Sequence, residues 1–176
     1  MLVVVDPSIS SSGVAVFEDG ELSAAWLVRA KEWREMVHSI TASVRSRFPA
    51  GWEDFELVIE RPRIYTRKTK RYDDIMKMML VVGGLGVAFR SSPLVFYFPQ
   101  DWKKNLSKEA MVERVKDRLR ESDEIDRVEL VSKSLEHNVF DAVGIGLHHL
   151  KRLNKHRAKK WVRSGRQGSK KNRRLL

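Results

Sequence analysis

A chain of 176 residues, 42% of them hydrophobic, is long enough for one domain with a real core and some tail. It contains no cysteine, which excludes disulfides, thiolate zinc sites and cysteine nucleophiles. No apolar run approaches the ~20 residues that cross a bilayer, so no membrane association is expected. The net charge of +11 is unevenly placed. Of the 34 lysines and arginines, 12 fall in residues 151–176, which hold no acid, leaving 22 against 23 acids in 1–150. Segment 61–71 (RPRIYTRKTKR) holds six more of them and no acid. Two concentrated basic segments on a near-neutral body point to a polyanion partner, most simply nucleic acid. For the tail alone, a solvated segment that aids solubility is the plainer alternative. The chain enters a strand-like run at once, with no basic leader or cleavage site, so an intracellular protein without a signal peptide is expected.

In chain order, Leu2–Asp6 is a short apolar run ending in an acid. Gly13–Glu18 is a second run, and Asp19-Gly20 is a hairpin signal before Leu22–Val28, which predicts a three-stranded antiparallel meander. Trp33, Met36, Val37, Ile40, Val44 and Phe48 recur at helical spacing, predicting a helix over about 30–48. Glu56–Glu60 is a buried-type strand that again ends in an acid. The basic segment follows as a loop, then an apolar helix over 72–90. Leu94–Phe98 is a further strand. Ser107 is a plausible N-cap for a helix whose apolar face is Met111, Val112, Val115 and Leu119. Val128–Leu130 reads as a short strand. A last helix is expected from Ser134 to beyond Leu150. Gly144 and Gly146 inside it imply close packing, or room for a DNA backbone; His148 and His149 read as surface residues rather than ligands. The expected architecture is α/β, a central mixed sheet flanked by helices over residues 1–153. Residues 154–176 read as a flexible basic tail.

Three acids stand at or near the ends of apolar runs: Asp6, Glu60 and Asp141, the last in EHNVFDAVGIGLHHL. Taken singly, each is equally a strand-end or helix residue making a cap or salt bridge. Together they suggest a shared cation, because an ionised carboxylate at an apolar edge is costly unless compensated. Mg²⁺ takes hard oxygen ligands. Two such ions about 4 Å apart can activate water and stabilise a leaving oxygen in phosphodiester cleavage.

These motifs resemble the RNase H-like superfamily, and within it the RuvC-type Holliday junction resolvases. VVVDPSISSSGVAVFEDG resembles the opening strand, turn and return strand; VIERP resembles the second acidic motif; HNVFDAVGIGL resembles the C-terminal helical motif. The resemblance covers residues 1–150 in order and spacing. It implies an RNase H-like fold with a five-stranded sheet, in a bacterial or phage protein acting in the cytoplasm. It also implies a Mg²⁺-dependent endodeoxyribonuclease that resolves four-way junctions by paired cuts. Two Mg²⁺ per site would be held by Asp6, Glu60, Asp141 and the residue three before Asp141, with Mn²⁺ able to substitute. That fourth position departs from the family, which carries Asp or His there: here it is Asn138, with His137 one residue earlier. Both share the helix face of Asp141, and Asn138 offers a carbonyl oxygen but no charge.

The segment FPQDWKKNLSKEAMVERVKDRL resembles the region where two family lysines meet the scissile backbone. Lys103 and Lys108 match best, Lys104 is an alternative to Lys103, and all three are equally readable as solvated lysines. In the basic loop Arg61, Arg63, Arg67, Lys68, Lys70 and Arg71 are expected to track phosphates. Tyr65, the nearest match to a family aromatic, is expected to stack on an unpaired base, unless it packs on its own domain. The helix at 72–90 is too apolar for a one-sided surface helix. A homodimer through it is expected, as the resemblance also implies; a fully buried helix in a monomer is the alternative. Other readings of the whole chain are an RNase H-like nuclease acting on flaps, forks or RNA–DNA hybrids, or a non-catalytic junction-binding protein.

Overall fold

The computed structural model describes residues 1–49, 55–62, 72–89, 93–129 and 131–154. Its centre is β1 (Leu2–Asp6), whose Leu-Val-Val-Val run is buried on both faces, as befits β-branched residues in a covered strand. On one side β1 pairs antiparallel with β2 (Ser11–Glu18), so that Asp6 opposes Gly13. On the other it pairs parallel with β4 (Glu56–Glu60). The Asp19-Gly20 turn, both residues at positive φ, returns the chain into β3 (Glu21–Arg29) as the dipeptide predicts. β5 (Leu94–Tyr97) adds parallel to β4, giving a five-stranded sheet in the order β3-β2-β1-β4-β5.

Alternation along the strands divides the core between the two faces. Val3, Val5, Val14, Val16, Leu57 and Ile59 meet α1 (Trp33–Arg47) and α2 (Tyr72–Phe89). Val4, Ala15, Phe17 and Val58 meet α4 (Lys108–Glu121) and α5 (Glu136–His149). Ser107 caps α4 by accepting from the Ala110 N–H at 3.2 Å. A one-turn helix that the sequence did not signal, α3 (Pro99–Trp102), links β5 to α4.

Two expectations need correction. Val128–Leu130 is not a strand: a 3₁₀ turn at Ile125–Arg127 leads into one parallel bridge, Val128 to Ala25, and Leu130 lies outside the described residues. The turn brings Val128 beside edge strand β3 for that one contact. The last helix stops at His149 instead of passing Leu150, because Lys151 adopts positive φ and turns the chain back.

The returning chain is fastened by a buried acid. Glu124 accepts from the Leu22 N–H at 2.7 Å and from Arg152 at 2.6 and 3.1 Å, while Arg152 also donates to the Gly20 carbonyl. Burial pushes the Glu124 carboxyl up, but the bonds from Arg152, Ser122 and Leu22 outweigh it, and its pKa lies below the ordinary value. Glu124→Ala should lower the unfolding free energy by about 3 kcal/mol in urea melts, as when a buried pair loses one partner. A carboxyl with a depressed folded pKa contributes stability above its unfolded pKa of ~4.3, and loses it as pH falls through the lower folded value. Wild type should therefore lose more stability than Glu124→Ala below about pH 4.

Candidate active site

Asp6 and Glu60 end adjacent parallel strands, β1 and β4, so the ladder delivers both to one end of the sheet. α5 crosses that end in very close contact. A Cβ on Gly13, the ladder partner of Asp6, would stand 1.9 Å from the Asn138 backbone oxygen, so only glycine fits. The Asn138 amide nitrogen donates to the Ser11 carbonyl at 3.1 Å and its hydroxyl at 3.2 Å, tying α5 to β2. Asp141, one turn on, is only 4% exposed.

The three carboxylates share one electrostatic environment. Burial pushes the Asp6 carboxyl well above the usual aspartate range, and the negative charges of Glu60 and Asp141 push it further. Glu60 is raised by burial and by Asp141, and Asp141 by burial. Opposing these shifts are two lysines. Lys103 donates to Asp141 Oδ2, and Lys108, in the first turn of α4, lowers all three acids. His137 also feels this cluster: burial and Lys108 lower its pKa, while Asp141 raises it. Structure thus separates the two candidate lysines of 103–104. Lys103 reaches Asp141, whereas exposed Lys104, at positive φ, acts on His148. Arg61 is exposed beside Glu60, its guanidinium 4.6 Å from the Phe98 ring centre. Arg63, Tyr65, Arg67, Lys68, Lys70 and Arg71 lie outside the described residues.

Among the described residues, no three or more His, Cys, Asp or Glu side chains stand ready-made as a metal-binding group. The donor chemistry nonetheless fits a hard divalent cation. The cluster offers carboxylate oxygens in a place that penalises their charge, and Asp141 Oδ1 is buried with no hydrogen-bond partner. The fit is one of chemistry, with the Lys103 ammonium on Asp141 in place of a cation.

Trp102 also meets this cluster, with no motif of its own in the sequence. Its indole N–H donates to Glu60 Oε2 at 2.7 Å, from inside the helix that was not foreseen. The one available signal was a large aromatic immediately before the Lys103-Lys104 pair. Gly144 and Gly146 are packing glycines: a Cβ would fall 2.7 Å from Trp102 and 2.2 Å from Phe17, respectively. His148 and His149 are half-buried instead of on the surface; His149 meets the Tyr97 hydroxyl at 3.1 Å and Glu56 at 3.1 Å.

No protein-family model matches the sequence, and no curated protein is similar to it in sequence. Solved structures are similar in fold. RuvC of Thermus thermophilus in complex with Holliday junction substrate superposes with a TM-score of 0.59 at 20% identity, covering 84% of this chain and 90% of that one. A second structure of Thermus thermophilus RuvC gives 0.54 at 18%, covering 84% and 92%. This chain has the RuvC fold. The yeast mitochondrial Holliday junction resolvase Ydc2 gives 0.47 at 12%, covering 86% and 79%.

On the RuvC fold of this chain, the acid cluster is a local cost to stability that a bound cation would relieve. Sign follows from the raised pKa of Asp6: the penalty is absent below the unfolded aspartate pKa and complete above the folded one. In EDTA at neutral pH, Asp6→Asn should therefore raise the melting temperature, by about 2–4 °C for each kcal/mol recovered in a chain of this size. A lower melting temperature, measured by calorimetry, would mean that Lys103 and Lys108 already balance the charge.

Proposed function

We propose that this chain is a structure-selective DNA endonuclease that resolves four-way junctions by cation-dependent phosphodiester hydrolysis. The observation that carries this reading is the convergence of Asp6, Glu60 and Asp141, with Lys103 and Lys108 against them, at one end of the sheet of a RuvC fold. A neighbour with that fold is described as bound to Holliday junction substrate. Asp6, Glu60 and Asp141, helped by the Asn138 carbonyl oxygen, would hold Mg²⁺, two ions per site, or Mn²⁺ in its place. When bound, the cation supplies positive charge for the reacting phosphate and lowers the pKa of water. Lys103 and Lys108 would neutralise the phosphate as the water oxygen, giving up a proton to solvent, bonds to phosphorus and the strand's P–O ester bond breaks, the leaving oxygen taking a proton from solvent. Arg61, Lys104 and the basic residues of 63–71 grip the backbone, and Tyr65 stacks on an unpaired base.

Purified chain should nick four-way junctions in Mg²⁺ or Mn²⁺ and leave them intact in EDTA. Asp6→Asn and Glu60→Gln should each reduce cleavage on the order of 10⁴-fold or more, the scale for losing a member of a catalytic unit, while junction binding in EDTA persists. Preferential cutting of flaps, forks or RNA–DNA hybrids would move the substrate elsewhere. Tight junction binding with no cutting would favour a non-catalytic binder, a reading to which Asn138 in an acidic slot lends support.

We further propose that two copies pair through α2. Tyr72, Met76, Leu80 and Val87 recur along one stripe of that helix and are exposed, Met76 and Leu80 by 56% and 53% and Val87 by 73%. Gly83 falls on the same stripe over open space, and exposed Leu94 and Phe96 of edge strand β5 extend the apolar surface beside it. A symmetric partner would cover this face and set two sites on one junction, matching its two equivalent strands. Light scattering should give a dimer that Leu80→Glu converts to monomer, with paired cuts lost and single nicks retained. A monomeric wild type, free and on junction DNA, would rule this out.

A further inference from the structure

We propose that Trp102 is a positioning residue for the acid cluster, holding Glu60 by a neutral donor and carrying Lys103 on its ring face; this rests on the cation-dependent reading above. Trp102 is 2% exposed and touches both halves of the site. Its N–H donates to Glu60 Oε2 at 2.7 Å, while the Lys103 ammonium, which donates to Asp141 Oδ2, lies 4.6 Å from its ring centre. The far edge of the ring is clamped against Gly144, one turn beyond Asp141, where a Cβ would come within 2.7 Å of it.

The choice of donor has a physical consequence. A free glutamate side chain must lose rotamer freedom to bind a cation, and an oriented one has paid that entropy in advance. An arginine or lysine could orient Glu60 equally well, but its charge would repel a divalent cation and cancel the carboxylate's attraction for it. The indole N–H orients without adding charge, and leaves Oε1 of Glu60 to a cation. Its ring meanwhile attracts the Lys103 ammonium, which lies against it in the same position from which it donates to Asp141. Hydrogen bonds to ligating carboxylates of this kind are worth about 10–100-fold in metal affinity.

Trp102→Phe keeps a ring for Lys103 and removes the N–H. Free Mn²⁺, followed by electron paramagnetic resonance, should show the dissociation constant rising about 10–100-fold, with junction binding in EDTA unchanged. Single-turnover cleavage should fall at limiting Mn²⁺ and recover in excess. Should the phenylalanine variant fail to fold, the benzothiophene isostere at position 102, with sulfur in place of N–H, tests the same bond. A wild type that binds and cuts with Mn²⁺, beside a variant that matches it in both, would overturn the role of Trp102 alone. A wild type that binds no Mn²⁺ would overturn both this inference and the reading beneath it.

Discussion

Three carboxylates are crowded together at the edge of an apolar sheet, opposed by two lysines, one of them paired with Asp141. Burial and mutual repulsion push Asp6 up, and burial leads the rise in Glu60 and Asp141. The surrounding structure resists relaxation. Asp6 and Glu60 sit on adjacent ladder strands, Asp141 on a helix fixed by the Gly13–Asn138 contact, and Glu60 is tied to a buried indole. Such a cluster stores unfavourable charge in a well-ordered place, the feature on which the proposed cation site rests.

The parts of this arrangement that follow from local periodicity were legible in the amino-acid sequence. A β-branched run ending in Asp, a second ending in Glu, and a hairpin dipeptide between two runs each encode their own geometry. The helix carrying Asp141 was equally plain from its apolar spacing. Parallel pairing of β1 with β4 then brings the first two acids together, a convergence that the family resemblance implied and local periodicity alone did not.

Contacts made across the fold were not legible in this way. Nothing local to Trp102 says that its N–H will meet an acid 42 positions earlier, because α3 is too short to have a period of its own. His149 looked solvated since basic residues follow it, yet the end of α5 lies over β4 and β5, where Glu56 and Tyr97 supply partners. Val128 carried a strand-like composition, but the 3₁₀ turn before it leaves room for one bridge. For Asn138 the sequence raised a question of missing charge, and the structure adds a tie from its amide to Ser11.

Arg152, held between Glu124 and the Gly20 carbonyl, also sets an orientation for the molecule as an object. The Gly20 turn stands at the end of the sheet remote from Asp6, since β2 runs back along β1 from Gly13 to Phe17. The last described residues therefore leave the domain on the side facing away from the acids. A surface tether or fluorescent label joined after residue 154 would hold the domain from behind, with the acid-bearing end presented outward to whatever is delivered in solution.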